Sequence, residues 1–190
     1  SIIYIGDGAT IDASGDEKRF AGLINALRAD RISVHSIAIG PSTNIELMGI
    51  LANQTGGVIG IVQESSGNTA AAIAQRVADS AMHSAIWIDQ VELPEAMTIA
   101  HGNRVPPLRV DRDSILLGRV SSPLANVRIV LQGSTSAAKF QIVAETESEN
   151  SVADFAFLPG LGASAEKNDG LTLPTAGSAL LRETAKVLAA

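Results

Sequence analysis

The carboxylate best placed for chemistry is Asp7, set between Gly6 and Gly8 directly after the apolar run Ile2-Ile3-Tyr4-Ile5. On a glycine-flanked loop at a strand end, a carboxylate can ligate a hard divalent cation or accept bonds from local turn amides. Asp12 and Asp16 follow closely. They would add negative charge near a cation, but acids also favour the positive end of a helix dipole, and they are read as loop and helix-start residues. The loop is not a dinucleotide fingerprint, because Ile11 stands where a glycine is required, and the lysine of a Walker motif is missing. His35, His83 and His101 lie far apart, in different expected elements and without paired zinc-ligand spacing. His35 reads as a strand residue and His83 as a helix C-terminal one. No nucleophile elbow is present, and Ser42, in Gly40-Pro41-Ser42-Thr43-Asn44, reads as a turn or cap residue. Asp111, Arg112 and Asp113 form a charged cluster, read as a solvated turn rather than an interaction surface.

Composition narrows the possibilities further. The 190 residues suffice for one large domain or two small ones, and the apolar share of 46% against 18% charged marks a globular chain. Aromatic residues are only 3%, so the core must be aliphatic. A net charge of -6 argues against nucleic-acid binding, which needs clustered cations to neutralise phosphates. With no cysteine, thiolate chemistry, Cys-ligated zinc and disulfides are excluded. No apolar run is long enough to span a bilayer, and no signal-peptide pattern is present. The chain opens directly on what reads as a buried strand, which leads us to expect a piece of a longer protein.

The elements that must position Asp7 alternate over residues 1–84. A short strand ends at Gly6-Asp7-Gly8. Ser14 and Glu17 have capping-box spacing, and Phe20, Leu23, Ile24 and Leu27 form a helical stripe. A second strand runs from Ile32 to Ile39. Thr43 and Glu46 are a second capping box, ahead of Leu47, Met48 and Leu51, and Gly56-Gly57 ends that helix. Residues 58–62 predict a third strand, and Asn68 is expected to cap a helix burying Ile73, Val77 and Met82. Such an order implies a parallel sheet covered on both faces.

Beyond about Ser84 the pattern changes. Strands are expected at 85–93, 114–120, 126–132 and 139–146, where Val127, Ile129 and Leu131, and then Phe140, Ile142 and Ala144, alternate with polar residues. Pro106-Pro107 interrupts this region. Residues 147–178 read as a long Ser-, Gly- and Ala-rich connection, and a helix near 177–189 carries Leu180, Leu181, Thr184, Val187 and Leu188 on one face. The predicted class is α/β: a parallel-sheet, Rossmann-like half-domain over 1–84, a small antiparallel β-sandwich-like module over 85–148, and a loop and C-terminal helical segment over 149–190.

Three pieces of the first segment, in order and at this spacing, resemble the C-terminal half of a von Willebrand factor A domain. The run from Ile2 to Gly8 resembles the family's fourth strand and its Thr-Asp-Gly end, Ile32 to Gly40 its fifth strand, and Leu47 to Gly57 the helix and Gly-Gly turn before its last strand. The likeness covers about 80 residues, less than half of the chain.

The resemblance implies a protein-binding, non-catalytic module, with a divalent cation held at the strand C-termini in a metal-ion-dependent adhesion site. Asp7 matches the third-loop aspartate of that site, and Gly6 stands where the family usually has Thr. Gly6 and Gly8 are its binding-loop neighbours. The Asp-x-Ser-x-Ser loop and the second-loop Thr have no counterpart in this sequence, so Mg²⁺ is expected only if another segment supplies them. The family's strand order leaves the first strand here with an open edge, expected to be covered by the missing N-terminal half or by a second copy. The resemblance also implies an extracytoplasmic or secreted setting, and the later region resembles the small β modules that follow such domains in large bacterial surface or secreted proteins. The alternative from the residues alone is a small flavodoxin-like enzyme with Asp7 as a strand-terminal catalytic carboxylate.

Overall fold

The computed structural model describes residues 1–8, 17–62, 69–100, 105–112, 114, 116, 118–147, 163 and 166. The chain is mixed α/β and forms two compact units, one from residues 1–87 and 106–113, the other from 88–105 and 114–190.

The first unit holds a parallel three-stranded sheet in the order β1 (Ile2–Gly6), β2 (Val34–Ala38), β3 (Ile59–Ile61). Between them run α1 (Glu17–Ala29) and α2 (Ile45–Thr55), and α3 (Ala70–Met82) follows β3. β2 is central and buried throughout. Register pairs Ile3 with His35 and Ile5 with Ile37, and Ile37 with Gly60, so these side chains share one face. α3 covers it: Ile73 and Val77 cluster with Ile37, and Gly60 leaves room for them. α2 packs on the opposite face of β2, that of Val34, Ser36 and Ala38, and α1 packs on α2, where the Arg28 guanidinium donates to the Gln54 carbonyl at 2.6 Å.

Two cap assignments change. Asn44, not Thr43, caps α2, its Oδ1 accepting the Leu47 N–H at 3.0 Å. Thr69 caps α3 through a bond from the Ala72 N–H, while Asn68 lies outside the described residues, as does Ser14. Met82 is 86% exposed rather than buried, because the inward stripe of α3 ends at Val77 and the chain leaves the helix at His83.

The turn after α2 brings helix and sheet together. The Thr55 hydroxyl donates to Leu51 O and accepts from the Val34 N–H at 3.0 Å, so one side chain joins the end of α2 to the start of β2. Gly57 passes so near Val34 that a Cβ there would collide with its carbonyl oxygen.

β1 departs from the buried strand that its composition suggests. Ile2, Ile3, Tyr4 and Ile5 are between 38% and 61% exposed, because β1 is the sheet's edge and no described helix lies over it.

Residues 106–109 also belong to the first unit. Ile86 and Leu108 exchange backbone bonds of 2.9 Å, and Pro106 and Pro107 are buried. The prolines therefore sit in a packed return segment.

The second unit contains a three-stranded sheet, β4 (Trp87–Glu92), β7 (Asn126–Ser134) and β8 (Lys139–Glu147), with β7 and β8 antiparallel. A separate antiparallel pair joins β5 (Met97–Ile99) to β6 (Gly118–Val120). Ala100, Val105, Val130 and Leu131 are buried. The alternation of Phe140, Ile142 and Ala144 does mark a strand, yet every residue of β8 is exposed. The connection over 147–178 and the helix near 177–189 lie almost wholly outside the described residues.

Candidate functional site

Asp7 stands just past the C-terminal end of β1, the position at which open parallel sheets present ligand-binding loops. Its loop is held on several sides. Gly6 O accepts from the Ile39 N–H at 3.0 Å, and Asp7 O from the Asn44 N–H at 2.7 Å. Tyr4 folds over Gly6, and its hydroxyl oxygen accepts the Gly8 N–H at 3.3 Å. Gly8 has φ of 69°, and a Cβ there would press on Met48, so both backbone sign and space call for glycine. The loop after β2, residues 40–44, lies alongside. The Asp7 carboxylate is thereby presented at the sheet's end on a backbone tied to the end of β2 and to the start of α2.

As a metal centre, the described part of this loop offers one carboxylate. Among the described residues no group of three or more His, Asp or Glu side chains is placed to hold an ion. Asp12 and Asp16 lie outside the described residues, as do His101 and Asp113. A hard cation at Asp7 therefore needs oxygen ligands from elsewhere.

A second polar centre, in the same unit, was not legible in the sequence. Arg109 is buried and spends its donors on three partners. Nη1 reaches Gly56 O at 2.9 Å, Nη2 reaches Ser80 O at 2.6 Å, and Nε and Nη2 grip the two Asp111 oxygens at 2.7 and 2.6 Å. The Ser80 hydroxyl adds a bond of 2.9 Å to Asp111. The knot joins the turn after α2, the end of α3 and the return segment. Arg109 holds the Asp111 carboxyl far below the usual carboxylate range. Asp111 is thus a structural ion-pair partner, where its sequence neighbourhood reads as a solvated turn. The only sequence signal was an arginine following the apolar Pro106-Pro107-Leu108, two residues before an aspartate.

His35 is fully buried on the α3 face of β2, and neither ring nitrogen has a hydrogen-bond partner. Burial, followed by the positive field of Arg109, pushes its pKa down to about 4, so it is neutral at pH 7. His83 caps α3 instead, its Nδ1 2.9 Å from Asp79 O. A groove of about 740 Å³ beside α3 is lined by Ile59, Ala72, Arg76, Asp79, His83 and Arg112, among others. Neither Asp7 nor His35 lines it. Ser42 occupies an exposed turn.

No protein-family model matches the chain, and no curated protein matches it.

Proposed function

We propose that the first unit is a non-catalytic protein-binding module of the von Willebrand factor A type. Asp7 is the third-loop residue of a divalent-cation adhesion site, flanked by Gly6 and Gly8. Mg²⁺ joins only when a second polypeptide segment brings the remaining oxygen ligands. One observation carries this reading: Asp7 leaves the C-terminal end of a parallel, apolar strand whose other edge no described strand pairs with. Alternate residues of β1 point their amides toward β2, as the bonds from Ile2 N–H to Ser33 O and from Ile39 N–H to Gly6 O show. Ile3 and Ile5 therefore direct their N–H and C=O groups away from the sheet, ready to pair with a further strand. That strand comes from the N-terminal half of such a domain or from a second copy of this chain.

Native mass spectrometry and amide hydrogen exchange on the purified protein, with and without Mg²⁺, test the proposal. The expected result is a complex with a second polypeptide bearing Asp-x-Ser-x-Ser, protected amides at Ile3 and Ile5, and bound Mg²⁺ that Asp7→Asn abolishes. A homodimer protected at Ile3 and Ile5 keeps the edge pairing and removes the metal site. A stable monomer with freely exchanging Ile3 and Ile5 amides overturns the reading. Turnover of a small substrate, lost in Asp7→Asn, replaces it with the enzymatic alternative.

A further inference from the structure

The second unit has an open edge of its own, independent of Asp7 and β1. β8 is nine residues long, exposed along its whole length, and among the described residues is paired only with β7. Phe140, Ile142 and Val143 are 41%, 37% and 46% exposed. Its register with β7 determines which backbone groups are free. Ala138 O accepts the Thr135 N–H at 2.8 Å, so Thr135 opposite Ala138 is a hydrogen-bonded pair. Alternation along the ladder then points the amides and carbonyls of Phe140, Ile142, Ala144 and Thr146 at β7. Those of Lys139, Gln141, Val143, Glu145 and Glu147 point outward.

We infer that β8 pairs antiparallel with β8 of a second copy of this chain, about a two-fold axis through Val143. In that register Val143 meets the second copy's Val143, Gln141 meets its Glu145, and Lys139 meets its Glu147. Every outward backbone group then finds a partner. The charge pattern selects this arrangement. β8 is basic at its start and acidic at its end, so an antiparallel pair brings opposite charges together at both ends. Parallel in-register pairing would stack lysine on lysine and glutamate on glutamate. A two-residue slip moves the axis to Ile142 or Ala144 and sets Glu147 or Lys139 beyond the other copy's β8, while a four-residue slip to Glu145 opposes two glutamates. Glu145 already takes Arg128 from β7 at 3.0 Å on the same face, leaving its other side for Gln141 of the second copy. The contact is self-complementary, so it closes as a dimer with one continuous sheet.

The chain has no cysteine, so single-cysteine variants of the full chain report this register cleanly. Light scattering is expected to show a concentration-dependent dimer. Mild oxidation of Val143→Cys should give a covalent dimer, since directly opposed Cα atoms in such a pair lie within disulfide reach. Gln141→Cys should not cross-link. Lys139→Glu should weaken the dimer roughly tenfold, and adding Glu147→Lys should restore it, because the swap recreates both ion pairs. A folded Val143→Cys variant that stays monomeric on oxidation overturns the inference. So does a dimer indifferent to Lys139→Glu and cross-linked instead through Ile3→Cys or Ile5→Cys, which places the contact on β1.

Discussion

His35 occupies the central strand fully buried, with both ring nitrogens unpartnered, and it has consequences for stability. Its folded pKa of about 4 lies below the ordinary value of 6.5, so the unfolded chain binds the proton more tightly. Stability is complete above about pH 6.5 and is lost as the pH falls toward 4. At pH 5 the loss from this one group is about 2 kcal/mol. Urea denaturation midpoints measured between pH 7 and 4.5 should fall accordingly, and His35→Leu, of similar volume, should remove that component of the slope. An unchanged slope in His35→Leu would show that another group carries it. Asp111 works at lower pH: its carboxyl is held below the normal range by Arg109, so its contribution is present above about 3.8 and is lost below. The importance of Asp7 lies in placement, with Tyr4, Gly8 and Asn44 fixing the loop that carries it.

The joint between α2 and the sheet is a tight local fit. The start of β2 takes the Thr55 hydroxyl on its Val34 amide, and Gly57 runs against the Val34 carbonyl. The adjacent Val58 O accepts the Ser36 N–H at 2.8 Å, so Gly57 cannot retreat without disturbing the β2–β3 pairing. Gly57→Ala should therefore cost about 3 kcal/mol, read as a lowered urea midpoint with an unchanged denaturant slope. A loss under 0.5 kcal/mol would mean that the joint relaxes freely. The Gly56-Gly57 pair was visible in the sequence as a helix stop. That its second member is also a close-approach position depends on a strand more than twenty residues earlier, and no local pattern encodes that.

At the scale of the whole molecule, two sheets end in exposed strands, β1 in the first unit and β8 in the second. Long apolar edges invite pairing with other chains unless charge or cover blocks them. β1 has no charged residue between Ile2 and Gly6 and is the less guarded of the two, while β8 carries Lys139, Glu145 and Glu147. Ile5 is 61% exposed, so Ile5→Lys should change folding stability by less than about 0.5 kcal/mol. It should also raise the concentration at which the free chain aggregates. Turbidity and thermal melts on the variant check both. A large drop in melting temperature would mean that Ile5 packs against something in the folded chain.

The sequence by itself determined the order of elements over residues 1–84 and the mixed α/β class of the chain, but not β5. Apolar runs of strand length between amphipathic stripes can satisfy their backbones and bury their faces only as alternating strands and helices, and Ile24, Ile37, Met48, Ile73 and Val77 are core residues as their periodicity requires. It also placed Asp7 at the end of a strand, because Gly6-Asp7-Gly8 stops one. Tertiary structure decided which strands are left without cover. Periodicity records that a side chain is apolar, not that a neighbour lies over it, so β1 and β8 read like buried or half-buried strands and are exposed. It decided too that Pro106 to Arg109 return to the first unit, where a buried guanidinium meets carbonyls of Gly56 and Ser80. Those partners lie 53 and 29 residues away along the chain, and a hydrogen bond between groups so separated is specified by the packing of the folded chain, not by any local pattern of residues.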